Sequence, residues 1–143
     1  MKQPKYSNQP IRVGFDLDGV LLYNPIRIYR PAVAFIKRRI LKRKKTRFFV
    51  PSTPFQQWLF TQMHKTSFLI APGFERIKEL ADAGVIEPYL VTGRFAFLKK
   101  DLDHWLKKMN ADSVFKACYY NAENEQPHLF KARMIQELNL EMF

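Results

Sequence analysis

Apolar positions along the chain fall into short strand-like runs separated by stretches with helical spacing. Val13 and Phe15 lead straight into Asp16, Leu17, Asp18 and Gly19, so a strand beginning near Ile11 is predicted to carry two carboxylates at its carboxyl end. A helical pattern starting around Pro31 sets Val33, Phe35, Ile36, Ile40 and Leu41 against a basic side of Lys37, Arg38, Lys42 and Lys45. Thr53-Pro54 reads as the start of a second helix, with Phe55, Trp58, Leu59 and Met63 at helical spacing. The stretch APGFERIKELADAG predicts a compact helix with Pro72 at its start, Phe74, Ile77, Leu80 and Ala81 facing inward, and Gly84 past its end. Val85 to Val91 reads as a strand in which Pro88 is tolerated at an edge or ahead of the central pairs, and it closes on Thr92-Gly93-Arg94. An amphipathic helix follows, with Phe95, Leu98, Leu102, Trp105, Leu106 and Met109 on one face. Ser113 to Tyr120 supplies a third strand ending at Asn121, and a last helix from about Pro127 carries Phe130, Met134, Ile135 and Leu138.

Strands alternating with helices predict an α/β protein, a three-layer Rossmann-like parallel sheet joined by right-handed crossovers, with a small helical insertion after the first strand. The three strand ends Asp16/Asp18, Thr92 and Asn121 then meet on one edge, where open α/β sheets bind ligands. With 143 residues the chain is read as a single domain, its core formed by residues 11–22 and 71–143 and its insertion by about 23–70. That insertion is too short to stand as an independent domain and is suited to lie over a site.

Charge changes this picture. Between Gly19 and Phe74 there is no Asp or Glu, but there are 11 basic residues: Arg27, Arg30, Lys37, Arg38, Arg39, Lys42, Arg43, Lys44, Lys45, Arg47 and Lys65. The other 13 basic residues balance all 13 acidic ones, so the net charge of +11 belongs to the insertion. At 47% hydrophobic and 15% aromatic the composition is not that of a disordered chain. A single cysteine, Cys118, excludes an internal disulfide framework and is read as a packed strand residue in a reducing compartment. No apolar run approaches a membrane span and residues 1–10 lack a hydrophobic signal core, which points to a cytoplasmic protein.

Two aspartates two residues apart repel each other within an apolar run unless a cation or a proton holds them, so the spacing suggests a metal. An EF-hand loop is excluded, because Gly19 comes too early in the acidic stretch. The motif FDLDGVL resembles motif I of the haloacid dehalogenase-like (HAD) phosphohydrolases. The resemblance implies that Asp16 attacks phosphorus while Asp18 donates a proton to the leaving oxygen and then takes one from water. It also implies magnesium, held by the Asp16 carboxylate and the backbone carbonyl of Asp18. VIEPYLVTGR resembles the family's motif II, with Thr92 binding the transferring phosphoryl group through its hydroxyl and Gly93 through its N–H; Arg94 faces either substrate or solvent. PHLFKARMIQEL resembles motif III through Lys131, the cation that two aspartates and a phosphate require, with Lys116 a weaker candidate because it lies mid-strand. Asn121, at the third strand end, completes the expected substrate-binding set.

The resemblance further predicts an acidic pair after a fourth strand. The sequence ends ELNLEMF without one, which reads as truncation, or else as substitution by Asp112 or Glu123. His64, His104 and His128 have no ligand spacing and are read as structural, while Trp58, Trp105 and most phenylalanines are assigned to the core.

In the family an insertion at this position is a cap that excludes water and selects substrate. A basic cap favours an anionic leaving group such as a nucleotide or sugar phosphate, with Tyr23, Asn24, Arg27 and Arg30 the nearest contacts in sequence. The run KRRILKRKKTR is equally compatible with a surface for nucleic acid or anionic lipid, or with a solvated helix face. The expectation is therefore a magnesium-dependent phosphatase acting on a small phosphomonoester. Its rival is a non-catalytic nucleic-acid-binding module on the same fold. Dehalogenase and phosphomutase chemistry stay open within the superfamily, although Asp18 argues against the former.

Overall fold

The computed structural model of the chain describes residues 9–23 and 49–143. The helix expected from about Pro31 lies outside the described residues, as do Asn24, Arg27, Arg30 and the run from Lys37 to Arg47. Strand β1 (Ile11–Phe15) is followed by a tight loop and the short strand β2 (Leu22–Tyr23). Helix α1 (Pro54–Lys65), strand β3 (Leu69–Ile70) and helix α2 (Gly73–Asp82) lead to the long strand β4 (Ile86–Phe95). Helix α3 (Lys99–Lys108), strand β5 (Ala117–Asn121) and helix α4 (Pro127–Glu137) complete the order.

The main sheet has three parallel strands in the order β1-β4-β5. Its central strand is apolar on both faces: Tyr89, Leu90 and Val91 are buried in succession, which a parallel strand needs when helices cover both sides. On one face Leu90 packs with Phe74 and Ile77 of α2, Leu102 and Trp105 of α3, and Phe115. On the other Val91 meets Phe130 and Met134 of α4. This is the expected three-layer α/β arrangement.

Pro88 sits in the middle strand rather than at an edge. It lies one residue before the β4–β5 ladder opens at Tyr89 and Ala117, so its missing N–H removes no ladder bond there. Its carbonyl accepts from Lys116 N–H at 2.8 Å. Strand β5 is shorter than expected because residues 111–113 form a 3-10 turn, which leaves Lys116 just ahead of the strand. Strand β4 is longer, running through Phe95 past a register shift between Thr92 and Phe95.

The loop after β1 folds back on itself. Leu21 and Leu22 N–H both donate to the Leu17 carbonyl, at 3.0 and 2.8 Å, and Gly19 N–H donates to Leu22 O at 2.8 Å. Gly19 adopts φ +93°, a conformation that a side chain would strain. Leu17, Leu21 and Leu22 are fully buried, so Asp18, which lies between them, and Asp16, which adjoins Leu17, have a fixed frame. Strands β2 and β3 pair antiparallel, which joins the start of the inserted segment to its end. Beyond α4, Met142 pairs in parallel with Val13, and a Cβ on Gly14 would come within 2.6 Å of both Leu140 and Phe143.

Trp105 is buried as expected, but Trp58, Phe49, Phe55 and Phe68 are exposed. The helical spacing of Phe55 and Trp58 marks a face of α1, but that face is not turned to the core.

Candidate active site

The carboxyl ends of β1 and β4 carry the acids and the hydroxyl. Phe15 stands opposite Leu90 in the parallel register, so Asp16 and Thr92 leave the sheet at the same edge, one and two residues past that pair. Asp16 Oδ1 accepts from Leu17 N–H at 2.9 Å, which fixes the carboxylate at the strand end. Its Oδ2 receives Lys131 Nζ at 2.6 Å, across 115 residues of sequence. Lys131 comes from the second turn of α4, since the helix begins at Pro127. Its side chain therefore owes less to the helix terminus than to Asp16 itself.

Asp18 has a different partner. Arg94 reaches both of its oxygens, Nε to Oδ2 at 2.8 Å and Nη2 to Oδ1 at 2.9 Å. The same guanidinium donates from Nη1 to Asp101 Oδ2 at 2.5 Å. Of the two orientations open in the sequence, the solvent-facing one does not hold: the Arg94 side chain is 1% exposed and faces two acids. Burial alone would raise the Asp18 pKa, but hydrogen bonds and charge from Arg94 and His64 outweigh it and hold the carboxyl well below the usual carboxylate range. Arg94 is itself raised, because the two acids outweigh its burial.

Thr92 is buried, and its hydroxyl oxygen accepts from Arg94 N–H at 3.3 Å. Gly93 packs so tightly on the first residue of α4 that a Cβ there would lie 2.7 Å from Pro127 Cβ. Asn121 is buried with both ends of its amide engaged in its own loop: Nδ2 donates to Glu125 O at 2.7 Å and Oδ1 accepts from Glu125 N–H at 2.9 Å. It shapes the approach to α4. Arg27 and Arg30 lie outside the described residues.

Two residues at this edge are not among the site residues expected from the sequence, where His64 reads as structural. His64, in the last turn of α1, sits with Nδ1 3.6 Å from Asp18 Oδ2. No spacing signals it, because 45 intervening positions separate it from Asp18 and its neighbours in sequence are unremarkable polar and apolar residues. Asp101 had a weak signal, an acid in the first turn of α3 seven residues after Arg94. Cys118 is a packed strand residue whose thiol is pushed up to about 11 by burial, far from thiolate reactivity.

The edge thus gathers three carboxylates, a lysine, an arginine and a histidine. Toward a cation, the Asp18 carboxylate is committed to Arg94, so the donors at hand are the Asp16 carboxylate and main-chain oxygen. Among the described residues no group of three or more His, Cys, Asp or Glu side chains surrounds a common point. One carboxylate with water and a substrate phosphate is a set that magnesium accepts, whereas calcium and zinc ask for more protein ligands.

No protein-family model and no curated protein matches the chain. In structure it is similar to a haloacid dehalogenase-like family hydrolase from Xanthomonas campestris, with a TM-score of 0.48 and 14% sequence identity over 94% of this chain and 71% of that one.

Proposed function

We propose that the chain is a magnesium-dependent phosphohydrolase that cleaves a small phosphomonoester through an aspartyl-phosphate on Asp16. The observation that carries this reading is the Asp16 carboxylate, fixed at the end of β1, neutralised by Lys131 at 2.6 Å, and sharing its sheet edge with Thr92. An anion-lined strand end with a lysine suits a phosphate dianion, which needs positive charge before a carboxylate can approach it.

In this account an Asp16 oxygen attacks phosphorus, the phosphorus–oxygen bond to the leaving group breaks, and the leaving oxygen takes a proton from Asp18. Water then attacks the aspartyl-phosphate, gives its proton back to Asp18, and phosphate leaves with Asp16 restored. Lys131 offsets the charge on the transferring phosphoryl oxygens, and the Thr92 hydroxyl donates to one of them. Magnesium, held by the Asp16 carboxylate and the Asp18 main-chain carbonyl, would supply further charge neutralisation at those oxygens. In its ion pair with Arg94, Asp18 is ionised and set up as a base. For Asp18 to act first as donor, the Arg94 contact has to loosen when substrate binds and the released carboxylate has to take a proton from water.

The deciding assay is phosphate release from a panel of phosphomonoesters with magnesium. The wild type is expected to turn over, chelation to stop it, and Asp16→Asn to be inactive while remaining folded. Turnover by Asp16→Asn would sink the reading. A silent wild type that binds oligonucleotides with steep salt dependence would transfer the assignment to a nucleic-acid-binding module.

A further inference from the structure

One carboxylate neutralises a guanidinium, yet Arg94 holds two. Its Nε and Nη2 donate to the two oxygens of Asp18 and its Nη1 to Asp101 Oδ2 at 2.5 Å, with the three side chains 1%, 13% and 12% exposed. Keeping a second acid away from water costs free energy, so its place calls for a reason beyond charge balance. An acid in the first turn of a helix is favourable toward the helix terminus without any arginine. Asp101 instead sends an oxygen back to β4. It does so from a fixed platform: a 3-10 turn over residues 96–98 links β4 to α3, and Leu98, Leu102 and Trp105 are buried in the core. A planar guanidinium pinned at Nη1 cannot turn without losing that bond, so its other two donors keep their plane and direction. His64 Nδ1 also approaches Asp18 Oδ2, but at 3.6 Å it is beyond hydrogen-bond length. Arg94 is therefore the tighter hold on Asp18.

We propose that Asp101 is a positioning residue: acting through Arg94, it sets where the Asp18 carboxylate stands relative to Asp16 at the sheet edge. This rests on the phosphohydrolase reading, in which Asp18 serves the leaving oxygen and then water. A proton donor works within hydrogen-bond reach of its target, and a displacement of about 1 Å can cost about 100-fold in rate. Arg94 holds Asp18 in place in the free protein. Once Asp18 has turned to substrate, Asp101 keeps the buried guanidinium compensated and in position to receive it again. If Asp101 served charge balance alone, the effect of replacing it would follow the charge at position 101 and not the place of its oxygen.

Hydrolysis of p-nitrophenyl phosphate and of glycerol 2-phosphate, each with magnesium, is measured for the wild type, Asp101→Ala, Asp101→Asn and Asp101→Glu, all below their thermal transitions. On either ester that the wild type turns over, Asp101→Ala is expected to lose about tenfold or more in kcat with KM unchanged, because a displaced Asp18 weakens the transition state and not the grip on phosphate. Asp101→Asn keeps an acceptor oxygen in the same place without the charge, and is expected within about threefold of wild type. Asp101→Glu keeps the charge but moves the oxygen by one methylene, and is expected to fall as Asp101→Ala does; it decides the matter if the alanine variant does not fold. The inference is overturned if Asp101→Ala or Asp101→Glu retains its kcat, if Asp101→Asn falls as far as they do, or if KM carries the change. In each of those cases an active wild type and an inactive Asp16→Asn leave the phosphohydrolase reading standing. A wild type silent on both esters ends that reading, and this inference with it.

Discussion

Arg94 holds Asp18 by both carboxylate oxygens, at 2.8 and 2.9 Å, across 76 residues of sequence, and a third nitrogen of the same guanidinium holds Asp101. One cation at the end of β4 therefore ties the loop after β1 to the first turn of α3. A planar fork of donors can do this and an ammonium cannot.

Removing that fork leaves two carboxylates in a place with little water, since their side chains are 13% and 12% exposed. Breaking one side of a buried ion pair costs about 3–5 kcal/mol. Arg94→Ala is expected to lose that much in urea unfolding, and Arg94→Lys to fall between it and wild type. An unchanged midpoint for Arg94→Ala would mean that the pair contributes nothing.

The same pair sets an acid limit. The folded-state pKa of Asp18 is lowered, burial being outweighed by Arg94 and His64, so its protonation opposes folding. Its contribution is full above the ordinary aspartate value of about 3.9 and declines as pH falls below that toward the lowered value. Unfolding free energy measured from pH 7 to pH 2.5 should therefore drop below about pH 4, with a shallower slope in Asp18→Asn. Parallel slopes would place the acid sensitivity elsewhere.

Lys131 and Asp16 are about a quarter exposed on each side, so their pair carries less stability. Lys131→Ala is expected to change unfolding free energy by about 1 kcal/mol or less. Phosphate release should fall about 100-fold or more, because a cation facing developing charge counts most in the transition state. A large stability loss with intact turnover would make Lys131 structural.

The fold was legible where patterns are local. Val13 and Phe15 before paired acids, Gly84 after a helix and the spacing of Leu98, Leu102 and Trp105 each specify their own element, and each element forms. The edge that collects Asp16 and Thr92 follows from strand order alone. What could not be read depends on contacts between distant elements. Arg94 is a charged residue at a strand end, and only the packing of α3 against that strand shows that it faces Asp101 and Asp18. The stripe Phe55, Trp58, Leu59 and Met63 has core-like spacing, yet periodicity identifies a face without saying which way it points. His64 carries no signal of its own, because its meaning comes from the turn of α1 that delivers it to Asp18.

That delivery has a measurable consequence. Helix α1 buries no residue fully, and its last turn brings His64 Nδ1 to 3.6 Å from Asp18 Oδ2. Elements with little buried apolar surface open locally at low free energy. His64→Ala removes roughly 0.5–1 kcal/mol of attachment, the scale of a single polar contact. Amide exchange in residues 54–65 should then accelerate about two- to fivefold, while β4 keeps its protection. The Thr53 capping box with Gln56 is local to the helix start and stays intact, so the first turn should respond least. Uniform acceleration through α1 and β4 would show instead that His64 stabilises the whole fold. No change anywhere would leave α1 held by its other contacts, among them Gln57 to the Pro51 carbonyl and Phe60 against Phe49.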